Sequence, residues 1–229
     1  MIAVIGDIHG CFNTLKALIK KIKEKYSDIK IYSVGDLIDR GNFSFEVLEF
    51  VIKENIIFTC GNHDIMFYYF IKFPKHPLGK IWLYNGSETT LLSYQDRVEK
   101  IDSHLSQILK APLFIDHEDC FISHAGISKY YKAKLPQNIL ENLDSVEELM
   151  REQIASEHGI LWTRDELINL GKLQIIGHTR KEDVVINKNN NTVYIDTSVY
   201  TGNKLTVVIV NKGEIIDQIS VPTFEIDIN

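Results

Sequence analysis

The first quarter of the chain alternates short apolar runs with stretches that are apolar on one side only. Three runs rich in isoleucine and valine have the length of buried strands and cover residues 2–5, 29–34 and 56–60. Between them, apolar residues recur at helical spacing, which predicts a helix from Asn13, as its N-terminal cap, to about Tyr26 and another over residues 45–54. This βαβαβ order predicts a largely parallel sheet with right-handed crossovers.

The rest of the chain combines helical and strand-like patterns. Residues 64–110 and 137–156 are mostly helical in pattern and are interpreted as insertions. Short apolar stretches separated by turn residues predict strands at residues 112–116, 120–123, 173–176, 184–187, 192–195, 205–210 and 214–221. The strands after residue 173 suggest a second, antiparallel sheet. We therefore expect one α/β domain over residues 1–229, with a central two-sheet β-sandwich flanked by helices.

Five polar clusters each follow a predicted strand. They are Gly6-Asp7-Ile8-His9-Gly10, Gly35-Asp36-Leu37-Ile38-Asp39-Arg40-Gly41, Gly61-Asn62-His63-Asp64, Ser123-His124-Ala125-Gly126 and Gly177-His178-Thr179. Ligands of open α/β sheets bind beyond the carboxyl ends of the strands, so these clusters can converge in space. One histidine after one strand is most often structural, whereas five clusters of matching chemistry favour a common site.

The residue types in these clusters point to metal binding. Carboxylate, imidazole and amide groups together suit Mn²⁺, Fe or Zn²⁺ rather than soft copper sites. A carboxylate such as that of Asp36 offers two oxygens and can bridge two ions. Two divalent ions about 3.5–4 Å apart are the usual device for phosphate-ester hydrolysis. The candidate ligands are Asp7, His9, Asp36, Asn62, His124 and His178.

Composition narrows the class of protein and its compartment. The 25 Lys and Arg residues against 31 Asp and Glu give a net charge of -6, which disfavours a sequence-independent nucleic-acid binder. No apolar run reaches membrane-spanning length, and the three cysteines show no zinc-type pairing. The N-terminus enters a polar cluster at once, which argues against a cleaved signal. These features predict a cytoplasmic protein that binds neither nucleic acid nor membrane.

The five clusters resemble the PPP family of metallophosphatases, within the calcineurin-like metallophosphoesterase superfamily. The likeness runs from Gly6 to about Thr197 and is greatest to the short bacterial and phage serine/threonine protein phosphatases. It implies the calcineurin-like fold and two divalent metal ions, Mn²⁺ first, with Fe or Zn²⁺ as alternatives. The implied ligands are Asp7, His9 and Asp36 for the first ion and Asp36, Asn62, His124 and His178 for the second.

The same resemblance implies the roles of further residues. His63 is expected to be the general acid for the leaving oxygen, paired with Asp39. Arg40 and Arg164 are expected to bind the phosphate oxygens, and Asn85 lies in a segment similar to a substrate-side loop of the bacterial members. The nucleophile of such enzymes is a metal-bridging hydroxide.

Departures from the family pattern concern the substrate. Asp64 stands where protein phosphatases usually carry Glu, and Asp is common there in diadenosine tetraphosphate hydrolases. Those hydrolases often lack the acidic residue before the arginine, which this chain keeps as Asp39. In addition, Ser198 stands where the family often has Gly. A phosphatase of phosphorylated proteins or peptides is the first expectation, and a hydrolase of a small phosphoester, a dinucleoside polyphosphate, is the alternative. A non-catalytic, metal-stabilised binding module is a third possibility, but it would be expected to lack a ligand, the acid or an arginine.

Overall fold

The computed structural model describes residues 1–229 and contains ten strands and seven α-helices. The strands are β1 (Ile2–Ile5), β2 (Lys30–Ser33), β3 (Ile57–Phe58), β4 (Phe114–Asp116), β5 (Phe121–Ser123), β6 (Gln174–Ile176), β7 (Val185–Asn187), β8 (Thr192–Tyr194), β9 (Lys204–Asn211) and β10 (Glu214–Pro222). The helices are α1 (Phe12–Lys25), α2 (Ser44–Lys53), α3 (Asn62–Lys72), α4 (Pro77–Trp82), α5 (Glu88–Tyr94), α6 (Ile101–Lys110) and α7 (Leu143–Glu152). None of the helices combines the length and apolar character needed to span a bilayer.

The first sheet has the strand order β10-β9-β1-β2-β3. β1, β2 and β3 are parallel, as the βαβαβ pattern predicts, with α1 and α2 as the crossovers. β9 and β10 were expected in the second sheet, but they extend this one as an antiparallel hairpin beside β1. The reason is burial: Leu205 to Val210 are all buried, and a central strand has both faces covered.

The second sheet has the order β4-β5-β6-β8-β7 and is mixed. β5, β6 and β8 are parallel, whereas β4 and β7 pair antiparallel at the two edges. The expectation of an antiparallel second sheet is therefore wrong. Long connections separate β5 from β6 and β6 from β8, and parallel pairing requires crossovers of this length.

Two apolar cores lie on either side of the first sheet. Alternate residues of β1 and β9 point to opposite faces, as the period of two requires. Ala3 and Ile5 join a cluster of 40 buried residues with α1 and α2. Ile2 and Val4 join a cluster of 12 that includes Ile175 of the second sheet. The two-sheet α/β architecture flanked by helices, as predicted, is confirmed.

The N-terminus of α1 is capped by a residue from the other end of the chain. The backbone N–H groups of Asn13 and Thr14 donate to the Asp227 carboxylate at 3.0 and 2.8 Å, and their side chains donate to it at 2.9 and 2.7 Å. The helix begins at Phe12, so Asn13 lies inside it and the prediction that Asn13 caps it is wrong. A carboxylate is well suited to this position because it accepts the unpaired N–H groups of the first turn.

Candidate metal centre

All six candidate ligands converge where strands of the two sheets end. Asp7 and His9 follow β1, Asp36 follows β2, and Asn62 is the first residue of α3 after β3. The remaining two, His124 and His178, follow the parallel strands β5 and β6. All six side chains are buried. The carboxyl ends of strands from both sheets thus build one polar centre.

The backbone at this centre is strained at several positions. His9, Asp36 and His178 have φ values of 45°, 49° and 59°, and Asp39 and Arg40 have values of 71° and 73°. Positive φ is unfavourable for residues with a side chain, and each such residue costs of order 1–3 kcal/mol. Five of the nine non-glycine residues with positive φ belong to the polar clusters, so the fold holds these side chains in place against local preference.

Two glycines allow the carboxylates to approach the strand-end loops. A Cβ atom at Gly177 would lie 1.9 Å from Asp7 Oδ1, and one at Gly61 would lie 2.2 Å from Asp36 Oδ1. Because these two glycines have no side chain, backbone N–H groups of the same loops can donate hydrogen bonds to the carboxylates. The N–H of His178 donates to Asp7 Oδ2 at 3.0 Å, and that of His63 donates to Asp36 Oδ1 at 2.9 Å.

Asp36 lies between two histidines. Its Oδ2 atom is 3.6 Å from His9 Nε2 and 3.5 Å from His124 Nε2. The triplets His9, Asp36, His63 and Asp7, Asp36, His124 each bring their ligand atoms within 4.8 Å of one another, and both include Asp36. Asp36 is thus central among the candidate ligands, and its two carboxylate oxygens are available for more than one ion.

Three histidines present an unprotonated nitrogen to the centre. His9 and His124 donate from Nδ1 to the Ile38 and Val34 carbonyls at 3.0 and 2.9 Å, and His178 donates from Nε2 to the Trp162 carbonyl at 3.0 Å. These partners fix the tautomers and leave the other nitrogen of each ring with a lone pair. Burial lowers the pKa of all three imidazoles, that of His178 to about 3, and so favours their neutral form.

The lone pairs and negative charges of the centre fit divalent cations. Asn62 Oδ1 lies 2.9 Å from His124 Nε2 and 3.0 Å from His178 Nδ1, so three electron-pair donors face one another without a proton between them. Burial raises the pKa of Asp7 well above its ordinary value, and the neighbouring Asp196 and Asp36 raise it further. A cluster of buried carboxylates and imidazole lone pairs is stabilised by bound cations, which supply the missing positive charge.

His63 is held by a buried carboxylate that has three side-chain partners. Its Nδ1 atom lies 2.7 Å from Asp39 Oδ2, which also accepts a hydrogen bond from Trp82 Nε1 at 2.8 Å. Thr90 Oγ1 donates to Asp39 Oδ1 at 2.6 Å. Burial raises the pKa of Asp39, and these hydrogen bonds oppose the shift. Sequence reasoning identified the pair but not the hydrogen bonds that Trp82 and Thr90 donate to Asp39 from α4 and α5, within the helical insertion.

Asp64 faces the backbone rather than the cleft. Its carboxylate accepts N–H bonds from Asp36 at 2.9 Å, Leu37 at 3.0 Å and Gly61 at 2.9 Å. Asp64 therefore fixes the loops that carry Asp36 and Asn62, and its side chain is fully buried.

A cleft with a volume of about 260 Å³ opens above the centre. Its lining includes the predicted phosphate-binding residues Arg40 and Arg164 and the predicted loop residue Asn85. Arg40 Nη1 donates to His9 Nε2 at 2.9 Å, and the Arg40 backbone N–H donates to the Gly86 carbonyl at 2.8 Å, which ties the Asn85 loop to the arginine.

Three further residues line the cleft: Trp162, which lies in the same segment as Arg164, and Arg180 and Tyr200, which the sequence reasoning missed. Arg180 lies two positions after His178, and Tyr200 lies two positions after Ser198. Extending the Gly177-His178-Thr179 cluster by one residue would have included Arg180, whereas Tyr200 follows none of the five clusters.

A family model described as calcineurin-like phosphoesterase matches residues 1–215. The chain belongs to this family. Buried Asp and His clusters at the carboxyl ends of strands are consistent with the dinuclear metal site of such phosphoesterases. The protein is accordingly a metal-dependent phosphoester hydrolase of the calcineurin-like type.

Two relatives of this calcineurin-like phosphoesterase carry tetraphosphatase names. It is 30% identical over 229 residues to the asymmetrical bis(5'-nucleosyl)-tetraphosphatase PrpE of Anoxybacillus flavithermus, covering 89% of this chain and 87% of the relative. It is 34% identical over 149 residues to the symmetrical bis(5'-nucleosyl)-tetraphosphatase of Buchnera aphidicola, covering 62% of this chain and 49% of the relative. The chain thus spans most of the first relative and about half of the second.

Among solved structures, the fold is similar to that of a protein provisionally assigned as a diadenosine tetraphosphatase. The two share a TM-score of 0.63 at 20% sequence identity, over 97% of this chain and 93% of the other. At this identity the likeness establishes the fold.

Proposed function

We propose that this calcineurin-like phosphoesterase hydrolyses dinucleoside polyphosphates, with diadenosine tetraphosphate as the representative substrate. The observation that carries the proposal is the likeness, over most of both chains, to a relative named as an asymmetrical tetraphosphatase. The cleft supports it, since arginines line the space above the buried ligands. Hydrolysis of dinucleoside polyphosphates thus replaces phosphoprotein dephosphorylation as the first candidate activity.

Two divalent cations would be held by the six converging side chains. When bound, they supply positive charge to the phosphate and make water a better nucleophile at neutral pH. We assign Asp7 and His9 to one ion, with Asp36 shared. The other ion takes the side chains that present facing lone pairs: Asn62, His124 and His178.

The residues around the ions would position the phosphate and supply a proton. Arg40 and Arg164 line the cleft and would each donate to non-bridging phosphate oxygens, because a guanidinium donates two parallel hydrogen bonds and keeps its charge. Water attacks phosphorus, and the bond from phosphorus to the leaving oxygen breaks. His63 donates its proton to that leaving oxygen, while Asp39 holds the ring in place through Nδ1.

A second candidate is hydrolysis of phosphoserine or phosphothreonine in proteins, as in the bacterial and phage-type phosphatases that the motifs resemble. The complete His63–Asp39 pair, with Trp82 and Thr90 behind it, favours this candidate. A serine alkoxide is a strong base and needs a proton as it leaves, whereas a nucleoside phosphate leaves readily without one.

A hydrolysis panel with Mn²⁺ tests the proposal. Diadenosine tetraphosphate and a phosphoserine peptide would be assayed side by side, each with and without chelator. We expect a larger kcat/KM for diadenosine tetraphosphate and loss of both activities with chelator. A larger value for the phosphopeptide would establish the second candidate, and activity that persists after complete metal removal would contradict the metal assignment.

A further inference from the structure

The arginines of this chain fall into two groups. Arg97 and Arg151 lie away from the site and form ion pairs with Glu46 and Glu147. The other three, Arg40, Arg164 and Arg180, all line the cleft, and no carboxylate oxygen lies within 4.0 Å of their guanidinium nitrogens. In a protein of net charge -6, three arginines without a carboxylate partner around one cleft concentrate positive charge where an anion would bind.

The ring of Tyr200 lies beside two of these arginines. The guanidinium carbon of Arg40 is 4.3 Å from the ring centroid, and that of Arg180 is 5.7 Å from it. Both distances are within the range of cation–π attraction. The ring also packs edge-on against His9, with centroids 4.9 Å apart. Tyr200 therefore links the metal centre to Arg180 and keeps the two guanidinium groups near each other.

The position of Tyr200 is fixed by the local backbone. It lies in a 3₁₀ turn, Val199–Thr201, between Ser198 with φ of 60° and Gly202 with φ of 87°. The N–H of Ser198 donates to the buried Asp196 carboxylate at 2.9 Å. The ring is thus presented by a tight turn anchored beneath the cleft, which makes it a suitable support for an exposed arginine.

The binding and hydrolysis of a single phosphoryl group do not require Arg180. The metal ligands, together with Arg40 and Arg164, would already account for the binding of one phosphoryl group. We propose that Arg180, supported by the Tyr200 ring, binds the phosphate adjacent in the chain to the one that is attacked. The cleft would then select substrates with two or more consecutive phosphates, an inference that rests on the proposed function and deepens it.

The alternative is that Arg180 is a surface charge that offsets the buried carboxylate of Asp196. In that case its removal would weaken the binding of each anionic ligand of the cleft in proportion to the charge of that ligand, and Arg180→Lys, which keeps the charge, would bind them all as the parent does. A phosphate-binding role predicts instead that Arg180→Lys recovers only part of the lost affinity for a chain of phosphates, because an ammonium group lacks the two parallel donors of a guanidinium. Inhibition by inorganic orthophosphate and by inorganic triphosphate, measured for both Arg180→Gln and Arg180→Lys, separates the two roles.

The test uses the Arg180→Gln variant of the manganese-loaded enzyme, with p-nitrophenyl phosphate as the reporter substrate and free Mn²⁺ held constant. We expect the inhibition constant for triphosphate to rise roughly 5- to 30-fold more than that for orthophosphate, the range for one charge-assisted hydrogen bond at a partly exposed site. The matched control is Arg97→Gln, which should change neither constant.

Equal changes for the two inhibitors, no change in either, or full recovery of both constants in Arg180→Lys would overturn the role of Arg180. Because the reporter is a simple aryl phosphate, this result does not depend on whether diadenosine tetraphosphate is hydrolysed. Failure to hydrolyse that substrate would count against the proposed function and leave the inhibitor comparison intact. A lower kcat/KM of the Arg180→Gln variant for diadenosine tetraphosphate would show that the phosphate-binding role of Arg180 contributes to the proposed function.

Discussion

Replacing His63 with Asn is expected to slow hydrolysis to a degree that depends on the leaving group. The imidazole would protonate the departing oxygen, a contribution of typically 10²–10⁴ in rate, or about 3–5 kcal/mol of transition-state stabilisation. That full loss is expected for a phosphoserine peptide, whose alkoxide leaves poorly. For p-nitrophenyl phosphate and diadenosine tetraphosphate we expect a loss of about tenfold or less, because these leaving groups depart without a proton.

The structure indicates that the substitution leaves the ligand framework in place. The contact between position 63 and Asp36 Oδ1 is made by the backbone N–H, at 2.9 Å, and any residue retains it. The side chain bonds instead to Asp39, which keeps its hydrogen bonds from Trp82 and Thr90. The purified variant should therefore carry as much manganese as the parent.

The assay compares kcat for the three substrates at saturating concentration, with metal content measured on the same samples. The Asp39→Asn variant is assayed in parallel, because it keeps the imidazole of His63 but removes the carboxylate that orients it. Its kcat should fall most for the phosphoserine peptide, as in His63→Asn, but by smaller factors for all three substrates. Equal losses for good and poor leaving groups would refute the general-acid assignment. Loss of manganese from the His63→Asn variant would refute the conclusion that His63 acts as the acid without binding metal.

Three further changes test the centre and its support. Asp36→Asn should lose bound metal and at least about 10²-fold in activity, measured by metal analysis and hydrolysis; two retained ions with normal turnover would exclude a shared ligand. Gly177→Ala should also lose metal and activity, since the new Cβ would lie 1.9 Å from Asp7 Oδ1; unchanged metal affinity would show that the loop yields easily. Asp227→Ala should destabilise the fold by about 1–3 kcal/mol, seen as a lower Tm, while Glu225→Ala, at an exposed carboxylate nearby, should not; equal Tm values would contradict the capping role.

The sequence predicted most of the fold and the residues of the centre for one physical reason. Each polar cluster directly follows a short apolar run, and the carboxyl ends of parallel strands collect at one edge of a sheet. Local sequence patterns therefore predicted contacts between distant parts of the chain. The structure brings Asp7, Asp36 and His178 together although they are far apart in the chain. The roles of these side chains in binding metal stay predictions.

The features that sequence reasoning missed depend on contacts with no local pattern. β9 is a nearly continuous apolar run and β10 largely alternates, but neither pattern indicates which sheet the hairpin joins; the packing of the finished core places them beside β1. Asp227 caps a helix that begins more than 200 residues earlier, which no capping rule based on neighbouring residues can find. Trp82 and Thr90 contact Asp39 from helices whose own patterns indicate only burial.

The residue at position 64 shows why the family motifs leave the substrate open. Asp at that position suggested a dinucleoside polyphosphate hydrolase, but the Asp64 carboxylate bonds three backbone N–H groups beneath the ligand loops and does not line the cleft. A change between Asp and Glu there alters how the loops are held rather than what they contact. Arg180 and Tyr200 do line the cleft, from the segments after β6 and β8, and in the role proposed for Arg180 they would meet a longer phosphate chain. Substrate choice is therefore expected to be determined at the outer wall of the cleft, where the shared motifs end.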